Sequence, residues 1–168
     1  MQKTEFMVMS KKKAVKYSYH LHKKQSVIIS ISNVGESRPC FSRQVHNGIR
    51  SICYLQFDDV EKGEENAITE KDAQKIAAFI NRFKGEIPRI IVHCEAGISR
   101  SAGVCAAIMK YLTGSDIQIF KNPKYVPNMS CYRMLLDSLL CYVPEEEIQH
   151  KQKINMEVWM KRFERSFG

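Results

Sequence analysis

The chain contains 168 residues, and its 26 Lys and Arg residues outnumber its 18 Asp and Glu residues, which gives a formal net charge of +8. This length fits one domain over 1–168, with a core over about 26–142 and a C-terminal helix over about 144–167. No apolar run is as long as a membrane span, and no secretory segment is recognisable near the N-terminus. We therefore expect a soluble cytoplasmic protein and not an integral membrane protein.

The positive charge favours anionic partners, but charge alone does not choose among nucleic acid, a membrane surface and a phosphorylated protein. Basic residues are concentrated near the two ends of the chain. They are Lys11, Lys12, Lys13, Lys16, Lys23 and Lys24 near the N-terminus, and Lys161, Arg162 and Arg165 near the C-terminus. We interpret both groups as solvated charged faces and expect neither a nucleic-acid nor a membrane partner.

The six cysteines have no C-x-x-C spacing and mostly lie in apolar contexts. They are Cys40, Cys53, Cys94, Cys105, Cys131 and Cys141. This pattern predicts neither a disulfide framework nor a metal site, and most of these thiols should be buried as small apolar groups. Only Cys94 has neighbours that would make a thiolate useful.

The first third of the chain contains three predicted strands. Residues 6–9 could form a short strand, whereas 11–19 fits either a helical turn or an exposed segment. The β-branched run 26–32 predicts a buried strand, followed by loop to about residue 48. Residues 51–57 predict a third strand that ends at a pair of carboxylates.

Helices dominate the remainder. Thr69 opens a capping-box pattern, and apolar residues follow it at helical spacing up to Gly85. A strand over 90–92 comes next, and a second helix begins near Arg100 and ends at Gly114. These elements predict an α/β fold with a sheet flanked by helices.

Three further helices are predicted downstream. Ser115 or Asp116 can cap a short helix that stops at Pro123, and Asn128 starts another that reaches about Cys141. The last helix begins after Pro144 with acidic residues and ends with basic ones, which complements the helix dipole. Its apolar residues are expected to dock it on the core: Ile148, Val158, Trp159, Met160, Phe163 and Phe167.

Residues 93–101 join a strand to a helix through a tight loop whose backbone N–H groups can converge on an oxyanion. Cys94 can attack only as a thiolate, which the loop N–H groups, the helix N-terminus and the Arg100 guanidinium would all favour. Gly97 permits a close backbone approach, and Ser101 could donate a hydrogen bond to the sulfur. If the strand alternates, His93 points away and holds the loop.

The same loop is suited to binding the oxygens of a phosphoryl group. Arg100 offers a planar fork that can take two phosphate oxygens at once and cannot lose its charge. The predicted phosphate-binding residues are Glu95, Ala96, Gly97, Ile98, Ser99 and Arg100.

Hydrolysis of a phosphate ester also needs a general acid from another element. Asp58 and Asp59 follow the strand over 51–57, and neighbouring residues of an extended segment point in opposite directions. Only one can therefore be the acid. We favour Asp59 as the general acid. Asp58 remains the alternative acid and otherwise has a supporting role at the site.

The stretch 93–101 fits the signature His-Cys-x5-Arg-Ser/Thr, and the chain thereby resembles the cysteine-dependent protein tyrosine phosphatases, in the form common among dual-specificity phosphatases. It also resembles small phosphatase-like proteins of bacteria and phages. Residues 57–59 lie upstream at a distance like that of the family's acid loop. Asn128 lies where the family often has an asparagine that braces the phosphate loop. This role is compatible with a second role as a helix N-cap.

The resemblance implies a tyrosine-phosphatase-like fold with a central, largely parallel sheet and helices on both faces. It also implies two chemical steps: Cys94 becomes phosphorylated while Asp59 protonates the leaving group, and water then attacks with the same carboxylate as base. No metal and no cofactor are implied. The implied partner is a phosphorylated protein or peptide, with inhibition by phosphate-like oxyanions.

Other functions share parts of this pattern. A phosphatase-like module could bind phosphopeptides without cleaving them, although the presence of both Cys94 and Arg100 disfavours this. Phosphoinositide or RNA 5′-triphosphate hydrolysis would use the same kind of loop. Glu95 argues against the phosphoinositide because its charge would repel a polyanion, and only the net charge supports RNA.

Overall fold

The computed structural model describes residues 3–44 and 47–167, and a four-stranded parallel sheet lies at its centre. The strands follow the order β1-β4-β2-β3, and every neighbouring pair is parallel. Their bounds are β1 Glu5–Ser10, β2 Ser26–Ser32, β3 Ile49–Gln56 and β4 Arg89–Cys94. The predicted parallel sheet is thus confirmed. Residues 11–19, for which the sequence allowed either a helical turn or an exposed segment, are largely helical.

Six helices surround this sheet in the described part of the chain. Their bounds are α1 Lys11–Ser18, α2 Glu70–Phe83, α3 Arg100–Thr113, α4 Ile117–Lys121, α5 Met129–Ser138 and α6 Glu145–Phe167. None of the described helices is long and apolar enough to cross a membrane.

The two faces of the sheet carry separate apolar clusters. Ile28 and Ile91 pack with Ala14 of α1 and with Phe41 on one face. The alternate side chains of the same strands join a much larger cluster with α2, α3 and α5 on the other face. Burial of both faces explains why β2 is an uninterrupted run of buried residues.

Local sequence signals place several helix ends. Thr69 and Asp72 form the predicted capping box, and Gly114 ends α3 with a φ of 77°. The α5 helix ends at Ser138, earlier than the predicted Cys141, because the chain turns at Leu139 and Leu140 adopts a left-handed φ of 53°.

The α6 helix departs from its prediction in one respect. It is anchored by Ile148, Lys151 and Asn155, which are buried, and Lys151 forms an ion pair with the buried Asp116 at 2.8 Å. Trp159 and Phe163 remain 44% and 53% exposed. The expectation that the distal apolar residues dock the helix is therefore wrong for Trp159, Met160, Phe163 and Phe167, because the buried residues of α6 all lie in its first half.

Candidate active site

The nucleophile candidate lies at the carboxyl end of β4, at the base of the 94–101 loop. Cys94 is only 2% exposed, and its Sγ lies 3.0 Å from Oγ of Ser101 in the first turn of α3. A hydroxyl at this distance can donate to a thiolate, and a hydrogen bond to the charged form favours that form. The predicted pairing of Cys94 with Ser101 is present in the structure.

Gly97 brings the loop into contact with the junction between β1 and α1. It has a φ of 69°, and a Cβ at this position would lie 2.5 Å from both the carbonyl carbon of Met9 and the nitrogen of Ser10. The backbone N–H of Lys11 also donates to the carbonyl of Glu95 at 3.1 Å. The β1–α1 junction therefore supports one side of the loop, and only a residue without a side chain fits there.

The connection before α5 supports the other side of the loop. The backbone N–H of Val126 donates to the carbonyl of Ile98, and that of Asn128 donates to the carbonyl of Ser99, both at 3.0 Å. The carbonyls of Glu95, Ile98 and Ser99 therefore all point out of the loop towards neighbouring segments. Across the described residues, the backbone N–H groups of 95–99 have no acceptor, which suits an oxyanion cradle.

Arg100 supplies a buried cation beside this cradle. Its residue is 4% exposed, and one Nη donates to the carbonyl of Phe57 at 2.7 Å. Its Nε is buried and has no partner among the described residues. An unpaired buried donor costs about 1–3 kcal/mol, and a phosphoryl oxygen would relieve that cost.

His93 points away from the loop interior, as predicted from strand alternation. Its Nε2 lies 2.7 Å from Oγ of Ser30, and its Nδ1 lies 3.3 Å from the carbonyl of Cys94. Burial lowers the pKa of His93 to about 4, with further lowering from the charges of Lys11 and Arg100. The imidazole is therefore neutral near pH 7 and positions the loop without adding charge.

The two carboxylates after β3 point in opposite directions. Oδ1 of Asp59 accepts hydrogen bonds from Oγ of Ser99 at 2.8 Å and from Nδ2 of Asn128 at 2.9 Å. Asp58 instead accepts from the backbone N–H of Val34 at 2.9 Å and from the side-chain amide of Asn66 at 3.2 Å. Asp59 thus faces the phosphate loop, while Asp58 fastens the neighbouring loop.

Asn128 combines the two roles that its sequence position suggested, a helix N-cap and a brace at the phosphate loop. Its Oδ1 caps α5 by accepting from the backbone N–H of Cys131 at 2.9 Å. Its Nδ2 donates to Asp59 and to the carbonyl of Val60. The side chain therefore braces Asp59, while its backbone braces the loop through Ser99.

Several residues contribute to the site without forming a recognisable sequence motif. Ser99 was predicted only as a phosphate ligand, yet its hydroxyl holds Asp59. Lys11 lies 3.7 Å from Glu95 and 3.6 Å from Glu36, so the charge of Glu95 is partly balanced. Glu95 would therefore repel a polyanion less strongly than its charge alone suggests. Only three-dimensional proximity reveals these pairs.

The other cysteines lack the surroundings of Cys94. Burial raises the pKa of Cys105 to about 12 and also raises the pKa of Cys131, so both thiols are inert at neutral pH. Cys40 is exposed but remote in sequence from the loop, and all six cysteines are free.

The sequence profile of the family described as "Dual specificity phosphatase, catalytic domain" matches residues 8–138, which include the whole 93–101 loop and Asp59. The chain belongs to this family. The cysteine-dependent phosphatase family inferred from the loop signature is thereby confirmed. The matched region ends with α5 and leaves α6 outside it.

Individual relatives are more distant. A 48-residue segment is 44% identical to mouse dual specificity protein phosphatase 2, covering 27% of this chain and 15% of that protein. An 88-residue segment is 26% identical to human dual specificity protein phosphatase 12, covering 52% of this chain and 25% of that protein. The matched segments thus represent a quarter or less of these relatives.

Among solved structures, the crystal structure of human DUSP28 is similar, with 12% sequence identity, 94% of each chain covered and a TM-score of 0.47.

Proposed function

We propose that this chain hydrolyses phosphomonoesters on tyrosine, serine or threonine side chains of phosphorylated proteins, by way of a phosphocysteine intermediate. The observation that carries the proposal is the 2.8 Å hydrogen bond between Asp59 and Ser99. It holds a solvent-accessible carboxyl group at the loop that also contains Cys94 and Arg100. Nucleophile, oxyanion ligand and acid therefore belong to one constellation.

In the first step, the Cys94 thiolate attacks phosphorus while the ester oxygen departs on the opposite side. An S–P bond forms, the P–O ester bond breaks, and Asp59 in its acid form gives its proton to the leaving oxygen. Both hydrogen bonds to Asp59 end on Oδ1, which leaves Oδ2 to carry that proton. Arg100 and the free loop N–H groups hold the equatorial phosphoryl oxygens.

In the second step, water attacks the phosphocysteine. Asp59, now a carboxylate, takes a proton from the water, the S–P bond breaks, and inorganic phosphate leaves. The Ser101 hydroxyl donates to the departing thiolate from 3.0 Å. The cycle returns each group to its starting protonation state.

A non-protein polyanionic phosphate, such as a phosphoinositide headgroup or an RNA 5′-triphosphate, is the second candidate substrate. The ion pair between Lys11 and Glu95 favours it, because this pair reduces the repulsion that Glu95 would exert. A cytoplasmic location and inhibition by phosphate-like oxyanions are further parts of the proposal.

The test is turnover of an aryl phosphate, followed by rate comparison on phosphotyrosine and phosphothreonine peptides, phosphoinositides and RNA 5′-triphosphates. We expect turnover that is lost in Cys94→Ser and retained in Cys40→Ser, a matched thiol removal at an exposed position. Peptides should give the highest kcat/KM. No turnover, or equal turnover in Cys94→Ser, would refute phosphatase activity, and a higher kcat/KM on a polyanion would select the second candidate.

A further inference from the structure

A concavity lies between the connection that precedes α5 and the exposed side of α6. Its volume is about 310 Å³, and its lining is mainly apolar. The principal lining residues are Phe120, Val126, Pro127, Met129, Met156 and Trp159. We refer to it as the α6 cavity. Its size is at the lower end of the range of about 300–1,000 Å³ typical of ligand pockets.

Three apolar side chains of the α6 cavity are exposed to solvent. Met156 is 58% exposed, and both Val126 and Trp159 are also exposed. The Trp159 ring stacks on Phe163 at a centroid distance of 5.6 Å, so it has a defined orientation. Exposed apolar side chains grouped around a concavity are a feature of ligand-binding grooves.

The α6 cavity is joined to the phosphate loop by a direct backbone contact. Val126 lines the cavity, and its N–H donates to the carbonyl of Ile98 at 3.0 Å. The Ile98 side chain is itself exposed, so apolar groups are exposed both at the phosphate loop and at the cavity. The cavity therefore borders a segment that is hydrogen-bonded directly to the phosphate loop.

Charge at the border of this surface favours an acidic occupant. Lys121 and Lys124 lie in sequence between the lining residues Phe120 and Val126, and both lysines are exposed. Neither has a carboxylate partner within 4.0 Å in the part of the chain that the structure describes. The net charge of +8 disfavours a second copy of the chain as the occupant.

We propose that the α6 cavity binds a large apolar side chain of the phosphorylated substrate, a few residues from the phosphorylated position and next to acidic residues. This inference rests on the proposed function and specifies its substrate class. The small volume suits one side chain of a peptide better than the paired acyl chains of a lipid. Since α6 follows the matched family domain, this specificity would belong to α6 and its contact with the α4–α5 connection.

The first experiment measures kcat/KM on phosphopeptides in which a single Trp is moved, one position at a time, through an otherwise small and acidic sequence. We expect one or two adjacent positions to raise kcat/KM about tenfold over Ala, as burial of a large apolar side chain would. The same kcat/KM at every position would overturn the proposal.

The second experiment compares Met156→Ser with Met160→Ser, a matched change one helical turn away that lies outside the lining and has similar exposure. The ratio of kcat/KM on the preferred peptide to that on an aryl phosphate should fall about tenfold in Met156→Ser only. An equal ratio in both variants would contradict the proposal. Thermal unfolding of each variant checks that its fold is retained.

Two other occupants have distinct signatures. If Met156→Ser abolishes self-association in light scattering, or binding to anionic phospholipid vesicles, while the peptide ratio is unchanged, the peptide site is refuted. If the aryl phosphate is not hydrolysed by the unmodified chain, the proposed function fails independently of the cavity. Turnover of the aryl phosphate without any Trp preference removes only the present inference.

Discussion

The side-chain amide of Asn128 donates to the carboxylate of Asp59 at 2.9 Å, across 69 residues of sequence. The backbone N–H of Asn128 donates at the same time to the carbonyl of Ser99 in the phosphate loop. One residue at the start of α5 therefore fixes the separation of the acid and the loop. Loss of this link should change the acid's position without removing any group that forms or breaks a bond.

Asp59→Asn should lower kcat by about 100-fold or more, because the leaving oxygen would depart without its proton. Asp58→Asn is the matched control and should lower kcat only a few-fold, since Asp58 faces Val34 and Asn66. The measurement is kcat on aryl phosphates of graded leaving-group basicity. The fall in kcat that Asp59→Asn causes should become larger as the leaving group becomes more basic. A larger loss in Asp58→Asn would reverse the assignment.

Gly97→Ala should destabilise the protein by more than about 2 kcal/mol, because a Cβ would lie 2.5 Å from backbone atoms and the φ is positive. Gly85→Ala is the control: its φ is 80°, but no atom lies within 4 Å of the added Cβ, so about 1 kcal/mol is expected. Urea denaturation measures both. Equal losses would mean that the β1–α1 junction does not press on the loop.

His93 should make stability depend on pH. Its folded pKa of about 4 is below the usual value of 6.5, so the unfolded chain binds more protons between these values. Its contribution is therefore present above pH 6.5 and is lost as pH falls towards 4, by about 3 kcal/mol at most. Urea denaturation from pH 7.5 to 4.5 should give a shallower loss in His93→Gln than in the unmodified chain.

The exposed His150 offers a matched replacement, His150→Gln, that removes an imidazole without touching the loop. If His93→Gln and His150→Gln flatten the pH dependence of unfolding equally, the buried imidazole is not its source.

Ser101→Ala should slow the second chemical step more than the first, because the departing thiolate loses a donor at 3.0 Å. We expect about a tenfold fall in kcat and a visible burst of the leaving alcohol in rapid-mixing experiments. Ser99→Ala, which instead releases Asp59, should lower kcat without a comparable burst, because Asp59 acts in both steps. An equal burst in both variants would indicate that Ser101 has no particular role in the second step.

Much of the site was predictable because its residues are close in sequence. The strand-loop-helix around Cys94 is local, and the opposite directions of Asp58 and Asp59 follow from backbone alternation alone. The packing of Gly97 on Met9 and the pairing of Lys11 with Glu95 were not predictable, since they depend on β1 lying beside β4.

The error on α6 has a different cause. Helical spacing of Trp159 and Phe163 correctly predicts an apolar face, but periodicity does not reveal whether anything covers that face. The buried anchors of α6 include Lys151 and Asn155, which an apolar pattern passes over. Lys151 is buried because Asp116 and Tyr132 satisfy its ammonium group, a contact between residues far apart in sequence.

The most direct test of the central claim is to stop the reaction rapidly in acid with a phosphotyrosine peptide present, and to map the covalent phosphate by mass spectrometry. Ser101→Ala, in which the phosphocysteine should accumulate, is compared with the unmodified chain. We expect phosphate on the peptide that contains Cys94, and none in Cys94→Ser. Turnover of the substrate with no phosphate on Cys94, or with phosphate on another residue, would contradict it.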